Sequence, residues 1–260
     1  MRAHPESLAA HVALALFCCL LVGCSSDKTV SFVPTGDPNS GSTTLTGVYA
    51  GGGDGGLAQV TVSSPALAAP FHLAPRSVSA VNALMTLSPD NGGGAILLSG
   101  SYDATADSIH AGGSGYDVRG RSSGSAIVGD YAGPNGPGAW TAAVGSSSTI
   151  RSYCGTFQNA GASVLGRSNL MIQGGSVLGI AFYSGGTTAM RLAGTLTGTG
   201  NPQQIRFSSS AGDSTLSASG TLNTVTREGS GTWALYISGA VADHGTWSAA
   251  LCRTAGTGTG

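Results

Sequence analysis

Charge is the scarcest resource of this chain. Charged residues make up 9% of its 260 positions and the net charge is −1. The only lysine is Lys28, and the arginines are scattered singly. Binding to a phosphate backbone needs a clustered basic face, so nucleic acid is excluded as an expected partner. Titratable groups are thin as well: beyond the N-terminal segment only His72, His110 and His244 remain among the histidines, on unrelated segments. Helical periodicity is also missing. The most helix-like stretch, from Val78 to Leu87, is interrupted by β-branched and turn residues and reads as loop and strand.

What is present is glycine, 43 residues of it, and a hydrophobic fraction of 41% in regular alternation. Disordered chains combine low hydrophobicity with high net charge, and this one does neither. Ile96, Leu98, Gly100 and Tyr102 share one phase of a period-2 pattern, as do Met190, Leu192, Gly194 and Leu196. Leu216, Ala218, Gly220 and Leu222 repeat it, and so do Trp233, Leu235, Ile237 and Gly239. Short alternating segments separated by Gly, Ser, Asn and Asp turns predict an all-β antiparallel meander.

The N-terminus is organised differently. Arg2 and His4 precede an apolar run from Leu8 to Val22, too short to span a membrane comfortably, which ends in Leu21-Val22-Gly23-Cys24. These four residues resemble the lipobox of bacterial lipoproteins. The resemblance implies a signal peptide over 1–23, cleavage before Cys24, and a diacylglycerol on the Cys24 thiol with a further N-acyl chain such as palmitate. Each buried methylene contributes about 0.8 kcal/mol, so such acylation anchors a protein firmly. Ser25 after the cysteine favours the outer membrane of the bacterial cell envelope. The alternative is an ordinary secretory peptide cut elsewhere. Residues 24–44, rich in Ser, Thr, Gly, Asp and Pro, read as a tether reaching roughly 25 Å at about 5–6 Å × √n. Residues 254–260 read as an unstructured tail.

Cysteine is rare too. Cys18 and Cys19 fall in the signal segment and Cys24 at its end, which leaves Cys154 and Cys252. An even pair in an oxidising compartment favours a disulfide; two buried free thiols are the alternative.

The chain also repeats itself. Gly138-Ala139-Trp140-Thr141-Ala142-Ala143 matches Gly245-Thr246-Trp247-Ser248-Ala249-Ala250, Gly124 matches Gly231, and Gly47-Val48-Tyr49 matches Gly155-Thr156-Phe157. Two units follow, 45–147 and 148–253, each with room for seven to nine strands. Cys154 falls on the first strand of the second unit and Cys252 on its last, both in the phase opposite to Tyr153, Phe157, Trp247 and Leu251. A disulfide requires Cα atoms within about 7 Å. First and last strands would then be neighbours, which closes the meander into an up-and-down barrel. In the first unit Thr46 and Gly145 occupy the equivalent places, so it would close without a covalent link. In size and strand count the units resemble avidin-like and lipocalin-like barrels; the resemblance covers architecture only. A β-sandwich, or one larger barrel, also fits the alternation.

Candidate chemistry is sparse. Gly120-Arg121-Ser122-Ser123-Gly124 fits the G-x-S-x-G pattern of serine hydrolases but lies between strands, not at a strand-to-helix turn. Asp103, Asp107 and His110 could be metal ligands, yet alternation puts His110 on the face opposite the two aspartates; Asp243-His244 reads as a solvated hairpin turn. Gly51 to Leu57 resembles a single calcium-binding β-roll repeat and reads as a loose loop. The aromatics Trp140, Trp233, Trp247, Tyr49, Tyr102 and Tyr236 read as core. No catalytic, cofactor or metal site is expected. The sequence thus points to a lipid-anchored, non-enzymatic envelope protein acting as a surface or structural interaction module, its membrane contact through the lipid and its other partner a protein or a small apolar ligand. A barrel binding a small apolar ligand is the alternative, and a hydrolase a distant third.

Overall fold

A computed structural model describes residues 42–63, 80–161, 163–187 and 189–253. Its sixteen strands form two closed eight-stranded barrels in tandem, with every neighbouring pair antiparallel. The first comprises β1 (Ser42–Gly51), β2 (Gly55–Ser63), β3 (Val81–Pro89), β4 (Ile96–Asp103), β5 (Ser108–Gly113), β6 (Tyr116–Ser123), β7 (Ala126–Gly133) and β8 (Gly136–Val144). The second comprises β9 (Arg151–Asn159), β10 (Val164–Gln173), β11 (Ser176–Tyr183), β12 (Ala189–Thr197), β13 (Gln203–Ala211), β14 (Ser214–Asn223), β15 (Glu228–Ile237) and β16 (Ala240–Leu251). The up-and-down meander is therefore the fold, and the sandwich and the single larger barrel are not. Each strand pairs with its successor, and β1–β8 and β9–β16 complete the two rings.

Inward positions carry the apolar side chains. Leu45, Tyr49, Val60, Met85, Leu98 and Trp140 help fill the first barrel, and Phe157, Leu170, Phe207, Trp233 and Trp247 the second. Large indoles fit because glycines face them. Trp140 lies over Gly120 and Gly129 and donates Nε1–H to the Arg119 carbonyl at 3.0 Å. Trp247 lies over Gly231 and donates to the Ser219 carbonyl at 3.3 Å. Other strand glycines allow close strand approach: a Cβ at Gly100, Gly194 or Gly220 would strike the backbone of the adjoining strand. Gly239 is not on a strand at all but in the β15–β16 turn, at φ +82°.

The duplication is visible in these contacts. Trp140 pairs with Gly129, and Trp247 with Gly231. The counterpart of Gly231 is therefore Gly129, not Gly124, which sits in the β6–β7 turn at φ +61°. Gly47 opposite Ala142 corresponds to Gly155 opposite Ala249. Both seams are closed at one shared place. In the second barrel Cys154 is bonded to Cys252, with Cα atoms 4.9 Å apart. In the first, Thr46 Oγ1, fully buried, donates to the Gly145 carbonyl at 2.8 Å. A backbone bond flanks each: Gly145 N–H to Thr44 O at 3.1 Å, and Cys252 N–H to Ser152 O at 2.8 Å.

The barrels pack side by side through β8, β1 and β2 of the first and β9, β10 and β11 of the second. The outward side chains there are apolar. Val48, Leu57, Ala143, Ile150 and Met171 surround the disulfide, and Ala50, Ala139, Ile180 and Phe182 form a second cluster. Asn169, fully buried on β10, clips the two together. Its amide donates to the Tyr49 carbonyl at 2.6 Å, and its Oδ1 accepts Gly155 N–H at 3.2 Å where the β9–β10 ladder skips a pair. Arg167 reaches across to Asp90 at 2.6 Å, both side chains largely shielded.

Replacing both Cys154 and Cys252 by serine is expected to lower unfolding free energy by about 2–5 kcal/mol, the usual range for a native disulfide. Thr46→Val should cost about 1 kcal/mol, the net worth of one hydrogen bond. Urea denaturation checks both; equal losses would mean that the covalent link adds nothing to its seam.

Candidate functional site

The structure gives the sequence-derived candidates distinct places. Cys24, His72, tether residues 24–41 and the tail lie outside the described residues; residues 42–44, read as the end of the tether, instead begin β1, where they pair with β2. Ser122 is on β6, in the inward phase, its N–H bonded to the Asp107 carbonyl at 3.0 Å. His110 is on the outer face of β5, with Nε2 2.7 Å from Asp117 Oδ1, and Arg119 lies 3.1 Å from the same carboxylate. This surface trio was not foreseen. The hydrogen bond from His110 holds the Asp117 carboxyl below its ordinary range against partial desolvation, with help from Arg119. Ser122 is thus not brought to His110.

The three proposed metal ligands separate as well. Asp103 Oδ1 accepts the N–H groups of Thr105 and Ala106 at 2.8 and 3.1 Å, which makes it the cap of the β4–β5 turn. Asp107 sits in that turn at φ +50° and accepts the Tyr102 hydroxyl. Asp243 and His244 are not in a hairpin turn. They lie within β16, beside a register shift at Leu235–Tyr236 that inserts one extra residue. Among the described residues no group of three or more His, Cys, Asp or Glu is disposed to hold a metal ion.

The largest departure from expectation is at Gly51 to Leu57. It is a tight β1–β2 turn, closed by Gly51 N–H to the Asp54 carbonyl at 2.8 Å. Asp54 is 3% exposed and plugs this end of the first barrel. Its carboxylate accepts the Tyr116 hydroxyl at 2.6 Å and the Tyr131 hydroxyl at 2.5 Å. Tyr49 packs edge-on against Tyr131, ring centroids 5.8 Å apart. Burial first, and then hydrogen bonding and charge from Asp54, push the Tyr131 and Tyr116 phenols far above their ordinary range. Burial, followed by the charge of Asp54, does the same to Tyr49. The only sequence hint of this plug is one aspartate in a run of glycines; its partners are 62 and 77 residues away.

Outside the second barrel the surface is hydroxyl-rich. Two shallow depressions lie on it: one of about 460 Å³ over β15, β16 and β9, the other of about 350 Å³ over β12, β13 and β14. Apolar side chains inward and hydroxyls outward is the polarity of a barrel bathed in water. A membrane-spanning barrel turns an apolar band outward and a polar lumen inward.

No family model matches the chain, and no curated protein is significantly similar to it.

The buried phenols set an alkaline limit. Their native pKa values are raised above the unfolded value near 10, so the stability they contribute is complete below that pH. It is lost as pH rises above 10 toward the native values. Stability should therefore fall above pH 10, with phenolate absorbance appearing together with loss of β-sheet circular dichroism. Tyr131→Phe should weaken the pH dependence, and an equally steep loss of stability in that variant would contradict this.

Proposed function

We propose that the protein is a lipid-anchored, non-enzymatic module of the bacterial cell envelope, held at the outer membrane through Cys24 and acting as a surface or structural interaction unit. The observation that carries this reading is the polarity of the two closed barrels: apolar side chains fill them, and away from the contact between them most outward positions are polar or charged. Such a body sits in water, and attachment to a membrane then falls to the segment ending in Leu21-Val22-Gly23-Cys24.

Orientation follows from strand direction. The described chain enters at Ser42 and leaves at Arg253, and both lie at the end of the pair where Ile150 and the disulfide cluster sit. The Asp54 turn is at the opposite end of the first barrel, so a lipid at Cys24 would join the body at the end away from Asp54. The titratable groups that meet in the interior or at turns hold the fold, Asp54 with its tyrosines and Asp103 and Asp107 at one turn, while His110, Asp117 and Arg119 meet on an exposed strand face with Ser122 on the other. This supports a role in interaction over catalysis, which needs a nucleophile, a base and an orienting group in one pocket. The filled interiors likewise favour an interaction unit over a carrier of small apolar ligands, since carriers keep an open cavity of at least about 300 Å³ inside the wall.

Cys24→Ala should shift the protein from the detergent phase to the aqueous phase on phase separation and leave an unprocessed precursor. Normal cleavage with a soluble product would refute the anchor.

A further inference from the structure

The two barrels solvate equivalent strands in different ways. The Trp140 indole bonds the carbonyl of Arg119, and the Trp247 indole that of Ser219, so Arg119 and Ser219 are counterparts on β6 and β14. By the same register Asp117 corresponds to Ser217, Arg121 to Thr221, and Asp130 to Thr232. In the first barrel Asp117, Arg119, Arg121 and Asp130 are exposed and charged. In the second every one of these places holds a hydroxyl, and Ser217, Ser219 and Thr232 are exposed. Water alone does not require the difference, because the charged version of this surface already exists in the same chain.

The hydroxyls are continuous across the sheet. One outward row runs from Thr195 through Arg206, Ser219, Thr232 and Thr246 to Gln158, each directly opposite the next on six adjoining strands. A second row runs from Gln204 through Thr221, Ser230 and Ser248 to Thr156. Arg206 is the single charge in the two rows. Ser219 lines the depression over β12 to β14, and its cross-strand partner Thr232 lines the depression over β15, β16 and β9, so the two depressions adjoin. With strands about 4.8 Å apart, the rows follow the curve of the closed wall around six of its eight strands, a band of donors and acceptors roughly 24 Å in arc.

We propose that this outer face of the second barrel, over β12 to β16 and β9, binds an uncharged polysaccharide strand. The face carries one charge, Arg206, and is otherwise lined by hydroxyls and the carboxamides of Gln158 and Gln204, each able to donate and to accept. A polyanion would find a single counter-charge there and a polycation none, so most charges of either would be desolvated unpaired, and an apolar partner would leave the hydroxyls unpaired. A neutral chain of sugar hydroxyls meets both conditions, and its length suits a track of regular spacing. This deepens the interaction-module reading by naming the partner's chemistry. It does not depend on the lipid anchor, whose test is membrane partitioning.

The test is affinity electrophoresis of the purified mature chain through gels containing amylose, an uncharged β-glucan or soluble glycol chitin, with dextran sulfate and alginate as charged comparisons. Retardation by at least one uncharged polymer is expected, unchanged in about 1 M salt, where the Debye length is about 3 Å. Ser219→Arg and Thr232→Asp install residues that the first barrel carries at the same places, so the fold has already accommodated them. Each should weaken retardation by about tenfold or more, equivalent to about 1.4 kcal/mol. Arg119→Ser on the first barrel should leave it unchanged. No retardation by any uncharged polymer, equal retardation of the Ser219 and Thr232 variants, or stronger binding to the charged polymers would each overturn the proposal.

Discussion

Every described strand has two neighbours, because in each unit the last strand pairs with the first: β8 with β1, and β16 with β9. An open meander of eight strands would expose two ladders of unpaired backbone groups, with the desolvation and aggregation hazards of any sheet edge. Closure removes both edges and encloses the space that the indoles and tyrosines fill. The place where each ring shuts is reinforced, by a hydroxyl–carbonyl bond at Thr46 in one unit and by the Cys154–Cys252 link in the other. The packing of the two barrels builds on this, since three of the strands that dock, β1, β8 and β9, are seam strands.

Duplication supplied one fold, and divergence of outward residues assigned it two situations. Val48 and Ala50 on β1 and Ala139 on β8 are apolar and buried against the second barrel. Their counterparts Thr156, Gln158 and Thr246 are polar, and they face solvent. At the indole the inward positions are kept: Trp140 and Trp247 share their hydrogen bonds and their opposed glycines. Elsewhere the cores are refilled, with Tyr131 standing at the place of Trp233 and Ile127 at that of Gly229.

Period-2 alternation and the cysteine spacing made the all-β class, the closed meander and the disulfide legible before any coordinates. Strand phase records inside against outside, and closure follows once two residues bracket a unit. Three features were beyond that reach. The Asp54 plug depends on tyrosines 62 and 77 residues distant, which no local pattern links. The β15–β16 turn is made by Ser238 and Gly239, so Asp243 and His244 fall within β16, beside its extra residue, and not in the turn that their composition suggests. The contact between barrels was missed although a trace of it exists: Val48, Tyr49 and Ala50 are consecutive and apolar, which marks a strand covered on both faces.

The position of β1 also has a mechanical meaning. A pull on the chain ahead of Ser42 acts along the axis of a strand that is paired on one side with β2 and on the other with β8. Its interstrand bonds run perpendicular to the strand, so such a load shears both ladders at once and does not peel them one bond at a time. The same strand is gripped from outside by the second barrel, where Asn169 holds the Tyr49 carbonyl. Tension entering there is shared among many bonds, and the body as a whole can bear a drag that would unzip a hairpin at its free end.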